Sequence, residues 1–139
     1  MKAKFEDFVP GRVLYHVYGI HRTETEVSEE SIDKLIVLSH PFLVDFGYSK
    51  SWFVKHIRKY KSFDGIKEYV TESSLADMGV ETSERSTVYN LNRVFTNFGG
   101  AIHFCAELKD NEFSDPKDAE YAKNNSPIDE KAFLKSFNF

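Results

Sequence analysis

The chain has 139 residues, 41% of them hydrophobic and 29% charged, with a formal net charge of −4. This is the size of one domain, spanning 1–139, and its acidic balance argues against a general nucleic-acid binder, which is usually basic. Thirteen Phe, seven Tyr and one Trp argue against disorder over the whole length, and no apolar run approaches the roughly 20 residues of a membrane span.

In chain order, the first predicted element is a strand at 12–20, after the Pro10-Gly11 turn signal. Its alternate positions are apolar on both sides, Val13, Tyr15 and Val17 on one and Leu14, Tyr18 and Ile20 on the other, which predicts contacts on both faces. Residues 21–31 read as a polar loop or a strand extension. A second strand runs over 32–38, and Pro41 marks its end or an edge position, because proline has no N–H for a ladder. Residues 42–46 are apolar again and stop at Gly47.

Residues 49–61 fit two patterns. A helix would align Trp52, Phe53, His56, Ile57 and Tyr60. A strand puts Trp52, Val54, His56, Arg58 and Tyr60 on one face, a set less cleanly apolar. The aromatic and β-branched content favours the strand, and Asp64-Gly65 then turns it into a hairpin with 66–71. Residues 72–87 read as an irregular connection pinned to the core by Leu75, Met78 and Val80. A short strand follows at 93–95.

Helix signals dominate the last third. Thr96 or Asn97 caps a helix to about Lys109, with Ala101, Ile102, Cys105 and Leu108 on one face; Gly99 and Gly100 each weaken its first turn by about 1 kcal/mol. Asp115-Pro116 is a cap followed by a first-turn proline, and Ser126-Pro127 repeats that grammar. The last helix would place Phe133, Leu134 and Phe137 against the body.

Chemical motifs are sparse. The histidines (His16, His21, His40, His56 and His103) form no close ligand pair, so they read as surface or half-buried residues and no metal site is assigned. His21-Arg22-Thr23 matches the His-x-Thr element of two-histidine phosphoesterases, but that chemistry needs a second copy, which is absent. Cys105, the only cysteine, faces inward in the predicted helix and reads as a buried structural thiol; it forbids an intrachain disulfide and fits a reducing compartment. Gly99-Gly100 lacks the further glycines and the Lys-Ser/Thr of phosphate loops, so close helix–strand packing explains it better. With no secretory apolar stretch behind the first lysines, the expected location is the cytoplasm. No cofactor and no catalytic residue is assigned.

Charge is unevenly placed. Residues 50–67 hold six basic groups and one acidic, in a chain otherwise acidic throughout. Lys50, Lys55, Arg58, Lys59, Lys61 and Lys67 interleave with Tyr48, Trp52, Phe53, Tyr60 and Phe63. Rings and cations in one segment suit a single-strand binder or a basic docking face for an acidic protein partner. The plainer reading is an amphipathic element with its rings in the core and its lysines in water. The candidate partner-binding set is Tyr48, Trp52, Lys55, Arg58, Lys59, Tyr60 and Lys61.

Ser74-Leu75-Ala76-Asp77-Met78-Gly79-Val80, then Tyr89-Asn90, then Arg93-Val94-Phe95-Thr96 leading to Ala101-Ile102 resembles small accessory proteins of tailed bacteriophages, over residues 74–108. The double glycine at 99–100 departs from that pattern. The resemblance implies a protein without catalytic residues that acts stoichiometrically on a host enzyme or defence protein, in the cytoplasm of the host cell.

The expected fold is α+β: an antiparallel sheet of four to five strands from 10–96, with two to three C-terminal helices packed on one face. The leading functional expectation is a non-catalytic binding or regulatory protein with a protein partner and no membrane. The second is a nucleic-acid-binding module using 48–67, and the third a small enzyme without a recognisable motif. Oligomeric state stays open at this stage.

Overall fold

The structure, a computed structural model, describes residues 1–19, 31–84 and 89–125. Strands β1 (Val13–Val17), β2 (Ile32–Val37), β3 (Phe42–Asp45), β4 (Lys50–Ser62), β5 (Gly65–Ser74) and β6 (Arg93–Phe95) precede helices α1 (Phe98–Asp110) and α2 (Pro116–Asn124). All six strands join one antiparallel sheet. The α+β class is the one expected. The Ser126-Pro127 helix start, Phe133, Leu134 and Phe137, and the His21-Arg22-Thr23 element lie outside the described residues.

The 49–61 segment is strand. Its alternation puts Val54, His56 and Arg58 in the interior and Lys55 in water, and long-range pairing on both sides outweighs any local helical stripe. Along one flank β4 pairs first with β3 and then with β2. Both belong to one run of chain broken at Leu38–Pro41, where four residues (38–41) face only Val54 and Lys55. The Lys55 carbonyl accepts from the N–H groups of Leu38 (2.8 Å) and Ser39 (3.3 Å), and the Ser39 hydroxyl accepts from the Lys55 N–H (2.9 Å). A bulge is what the donor-less Pro41 requires.

Along its other flank β4 pairs with β5 without offset, from Phe53 opposite Ser74 to Ser62 opposite Gly65, with Phe63 and Asp64 at the turn. The strand thus reaches Ser74, beyond the Thr71 limit read from the sequence. The irregular segment starts only at Leu75. Leu75, Met78 and Val80 are buried in the core, as their spacing suggested. Gly79 makes that turn possible: its φ is +79°, and a Cβ there would lie 1.8 Å from the Asn92 carbonyl oxygen.

Two cores flank the sheet. On the inner face Leu14, Leu35, Val37, Val54 and Val94 pack against Phe8 from the N-terminal segment and against Leu75, Met78 and Val80. On the outer face Val17, Ile32 and Phe95 pack against Ala101, Phe104, Cys105 and Leu108 of α1, the i, i+3, i+4, i+7 stripe of an amphipathic helix. The Asn97 side chain caps α1 by accepting from the Gly100 N–H (2.7 Å). Gly100 is also a packing residue, because a Cβ would meet the Phe95 ring at 3.2 Å. Asp115 caps α2 ahead of Pro116. Helix α1 lies over β1 and β6, at one end of the sheet.

Candidate functional site

The predicted contact stretch is divided by its own strand geometry. Successive side chains of a strand point to opposite faces. Trp52, Arg58 and Tyr60 share the inner face with Val54 and His56, whereas Lys55, Lys59 and Lys61 share the outer face with Phe53 and Ile57. Trp52 is half-buried, edge-on to Phe5 with ring centroids 5.1 Å apart, and Tyr60 is half-buried against Tyr69 at 5.8 Å. Tyr48 lies before the strand, fully in solvent and stacked on Phe46 at 6.3 Å. Lys59 pairs with Glu68 of β5 at 3.5 Å. Trp52 and Tyr60 are therefore turned away from Lys55, Lys59 and Lys61, and of the β4 rings only Phe53 shares the face of those lysines.

Arg58 is 3% exposed, which corrects its placement among surface contacts. Its Nη1 donates to Asp33 Oδ2 at 2.7 Å and lies 2.9 Å from His16 Nδ1, and its Nη2 is 4.0 Å from Met78 Sδ. The Tyr18 ring sits 5.4 Å from the guanidinium carbon and 4.4 Å edge-on from the His16 ring. His56, beside them, is sealed from solvent. Burial and the Arg58 charge hold His16 well below the ordinary histidine range and push His56 down to about 4. Burial raises the Asp33 carboxyl more than the Arg58 hydrogen bond lowers it.

Both imidazoles are thus neutral near pH 7. With Arg58 donating to Nδ1, the His16 proton sits on Nε2. The Nε2 atoms of His16 and His56 have no hydrogen-bond partner among the described residues. His16, His56 and Arg58 are all buried, and the contacts that tie His16 and Arg58 to Asp33 and Met78 join three elements of the inner core. This burial corrects the reading of the histidines as surface or half-buried for His16 and His56. The signal was present: His56 and Arg58 share parity with Val54, and His16 with Leu14.

A second polar feature is a shallow cleft of about 410 Å³ between the N-terminal segment, Gly79–Glu81 and the start of α2. Most of its charges are spent on one another. Lys2 Nζ bonds to Asp115 (2.7 Å) and Asp118 (2.5 Å), Arg93 pairs with buried Asp118 (2.9 Å), and Lys117 with Glu81 (2.5 Å). No group of three or more His, Cys, Asp or Glu side chains able to hold a metal occurs among the described residues. Cys105 is buried as expected, and His103, two residues before it, is exposed.

The remaining feature is apolar and exposed. Phe63 at the hairpin tip is fully in water, and Ile66 and Val70 on β5 are 78% and 58% exposed. With Ile57, Ile36 and Val13, Val70 forms one row across the outer face through directly paired positions. Lys34 and Lys59 lie beside that row on one side and Lys55 on the other.

These observations define a small α+β protein with a sealed polar core and an exposed apolar hairpin. No helix among the described residues is long and apolar enough to cross a membrane. The model of the Phage g100-like protein family matches residues 2–108, all of the sheet and most of α1, and the chain belongs to that family. The resemblance to phage proteins seen at 74–108 thus extends over most of the chain. Neither a curated protein nor a solved structure matches it.

Proposed function

We propose that this phage protein is a non-catalytic binding protein that modulates a host protein, and that its contact surface is the β4–β5 hairpin with the preceding turn at Tyr48. The observation that carries this reading is the exposure of Phe63, Ile66 and Val70 on one hairpin. Large apolar side chains clustered in water are the material of protein interfaces. Lys55 and Lys59 beside them, opposite Glu72 and Glu68 of β5, give the surface charges of both signs that would steer a partner's approach. The separation of Trp52 and Tyr60 from the lysines supports a protein partner over a single-stranded nucleic acid, which needs rings and cations on the same side.

The test is a tagged pull-down from host lysate with the wild type and with Phe63→Ser/Ile66→Thr. A stoichiometric protein partner, lost in the double variant at unchanged melting temperature, supports the reading. Retention of nucleic acid alone, falling steeply with salt, transfers the surface to the second reading. A full effect on lysate activity at sub-stoichiometric amounts would show turnover instead.

A further inference from the structure

The hairpin ends in an open sheet edge. The Leu75 N–H donates to the Trp52 carbonyl at 2.9 Å, in the same register as the β4–β5 pairs. Hydrogen-bonded pairs alternate along an antiparallel ladder, so Ser73, Thr71, Tyr69, Lys67 and Gly65 bond to β4. Lys55, opposite Glu72, turns its N–H and C=O to the β2 side, which agrees. The backbone groups of Ile66, Glu68, Val70 and Glu72 therefore point away from the sheet. Those of Ile66, Glu68 and Val70 meet no partner among the described residues, and the Glu72 carbonyl meets the Thr71 hydroxyl at 3.5 Å.

Edges of this kind are normally blunted by charged side chains, proline, bulges or a covering segment, and of these β5 has the charges Lys67, Glu68 and Glu72. The β6 edge is covered: Lys2 bridges to Phe95, Ala3 N–H donates to Val94 (2.8 Å), and Thr96 N–H to Met1 (3.0 Å). β3 has four residues, next to Pro41. β5 has neither proline nor bulge, and residues 65–70 are all exposed.

We infer that β5 accepts an extended strand of a partner protein along this edge, one whose outward side alternates apolar residues with Lys or Arg. This rests on the binding reading above and names its mode. Outer-face positions along the edge run Ile66, Glu68, Val70, Glu72, so apolar and acidic sites alternate; Lys59 and Lys55 of β4 lie on the closed side of the two carboxylates, and a basic–apolar strand would meet them from the open side. A second copy complements them poorly. The two-fold register that engages all of Ile66–Glu72 centres on Tyr69, and it sets each Glu68 diagonal to both Glu68 and Glu72 of the second copy.

The probe is a capped nine-residue peptide in which threonine alternates with Val and Lys, titrated into isotope-labelled full-length protein, with a Glu-for-Lys peptide as control. Saturable amide shifts confined to β5 are expected from the Lys peptide, with binding of the Glu peptide weaker by about tenfold or more. Val70→Pro removes an outward N–H and no ladder bond, so it should fold and lose the shifts. Glu68→Lys/Glu72→Lys, which keeps the backbone intact, should reverse the peptide preference. Equal or absent shifts overturn the inference, as does a wild-type dimer that Val70→Pro dissolves, which would give the edge to a second copy. If lysate capture needs Phe63 yet survives Val70→Pro, the edge inference falls and the binding reading stands.

Discussion

Arg58 on β4 and Asp33 on β2 form an ion pair at 2.7 Å inside the sheet's inner core, 4% and 9% exposed at their side chains. Desolvating both groups costs several kcal/mol each, and their attraction offsets that only while both are present. Asp33→Asn should therefore destabilise the fold by about 3–5 kcal/mol. Replacing both, with Asp33→Leu and Arg58→Met, should cost far less than the single change. Urea unfolding of the three proteins checks this, and a double variant weaker than Asp33→Asn would refute it.

The same cluster sets a pH dependence. Burial and the Arg58 charge push His56 down to about 4 in the folded protein from near 6.5 unfolded; His16 is likewise held well below the ordinary histidine range. Between these values the unfolded chain binds more protons, so the histidine contribution is complete above pH 6.5 and declines as pH falls toward 4. Asp33, raised by burial, works in the opposite sense near the low end of the window. The urea midpoint should drop from pH 7 to pH 5, with His56 alone accounting for roughly 1–2 kcal/mol. His56→Leu should flatten that slope.

Gly79→Ala should cost more than about 2 kcal/mol. Its φ of +79° and the Asn92 carbonyl oxygen 1.8 Å from an added Cβ leave no room for relaxation without moving β6. The loss should appear in thermal melts. Near-UV signals from Trp52, which packs on the core that this turn completes, should weaken with it.

The buried polar anchor of helix α2 is Asp118. Asp118, 2% exposed, binds Arg93 of β6 at 2.9 Å and Lys2 at 2.5 Å. Asp118→Ala leaves Arg93 buried without a counter-charge, a loss of about 3 kcal/mol or more. Hydrogen exchange should quicken first at Ala119–Lys123, while the β4–β5 amides keep their protection. Uniform acceleration through the whole chain would contradict a local role.

Local chemistry was legible in the residues themselves. Asn97 and Asp115 cap helices because their side chains reach nearby backbone N–H groups. The alternation in 50–62 was visible, including the polar members of its apolar face. The Arg58 partner was not. Asp33 lies 25 residues away, and an acid beside Ile32 and Lys34 carries no mark that distinguishes a buried ion pair from a solvated one. Counting charge along the chain joined Arg58 to Lys55 and Lys59, although a strand sends neighbours to opposite sides.

By itself the sequence determined the periods, the caps and the turns, because these depend on interactions within a few residues. It thereby determined an α+β chain whose described helices follow its strands. The tertiary structure decided what each face meets. Long-range pairing turned Trp52, His56 and Arg58 inward, sealed two histidines around a cation, covered the β6 edge with the N-terminus and left the β5 edge open. Burial and edge exposure belong to the packed sheet, where free energy depends on neighbours that are distant in the chain.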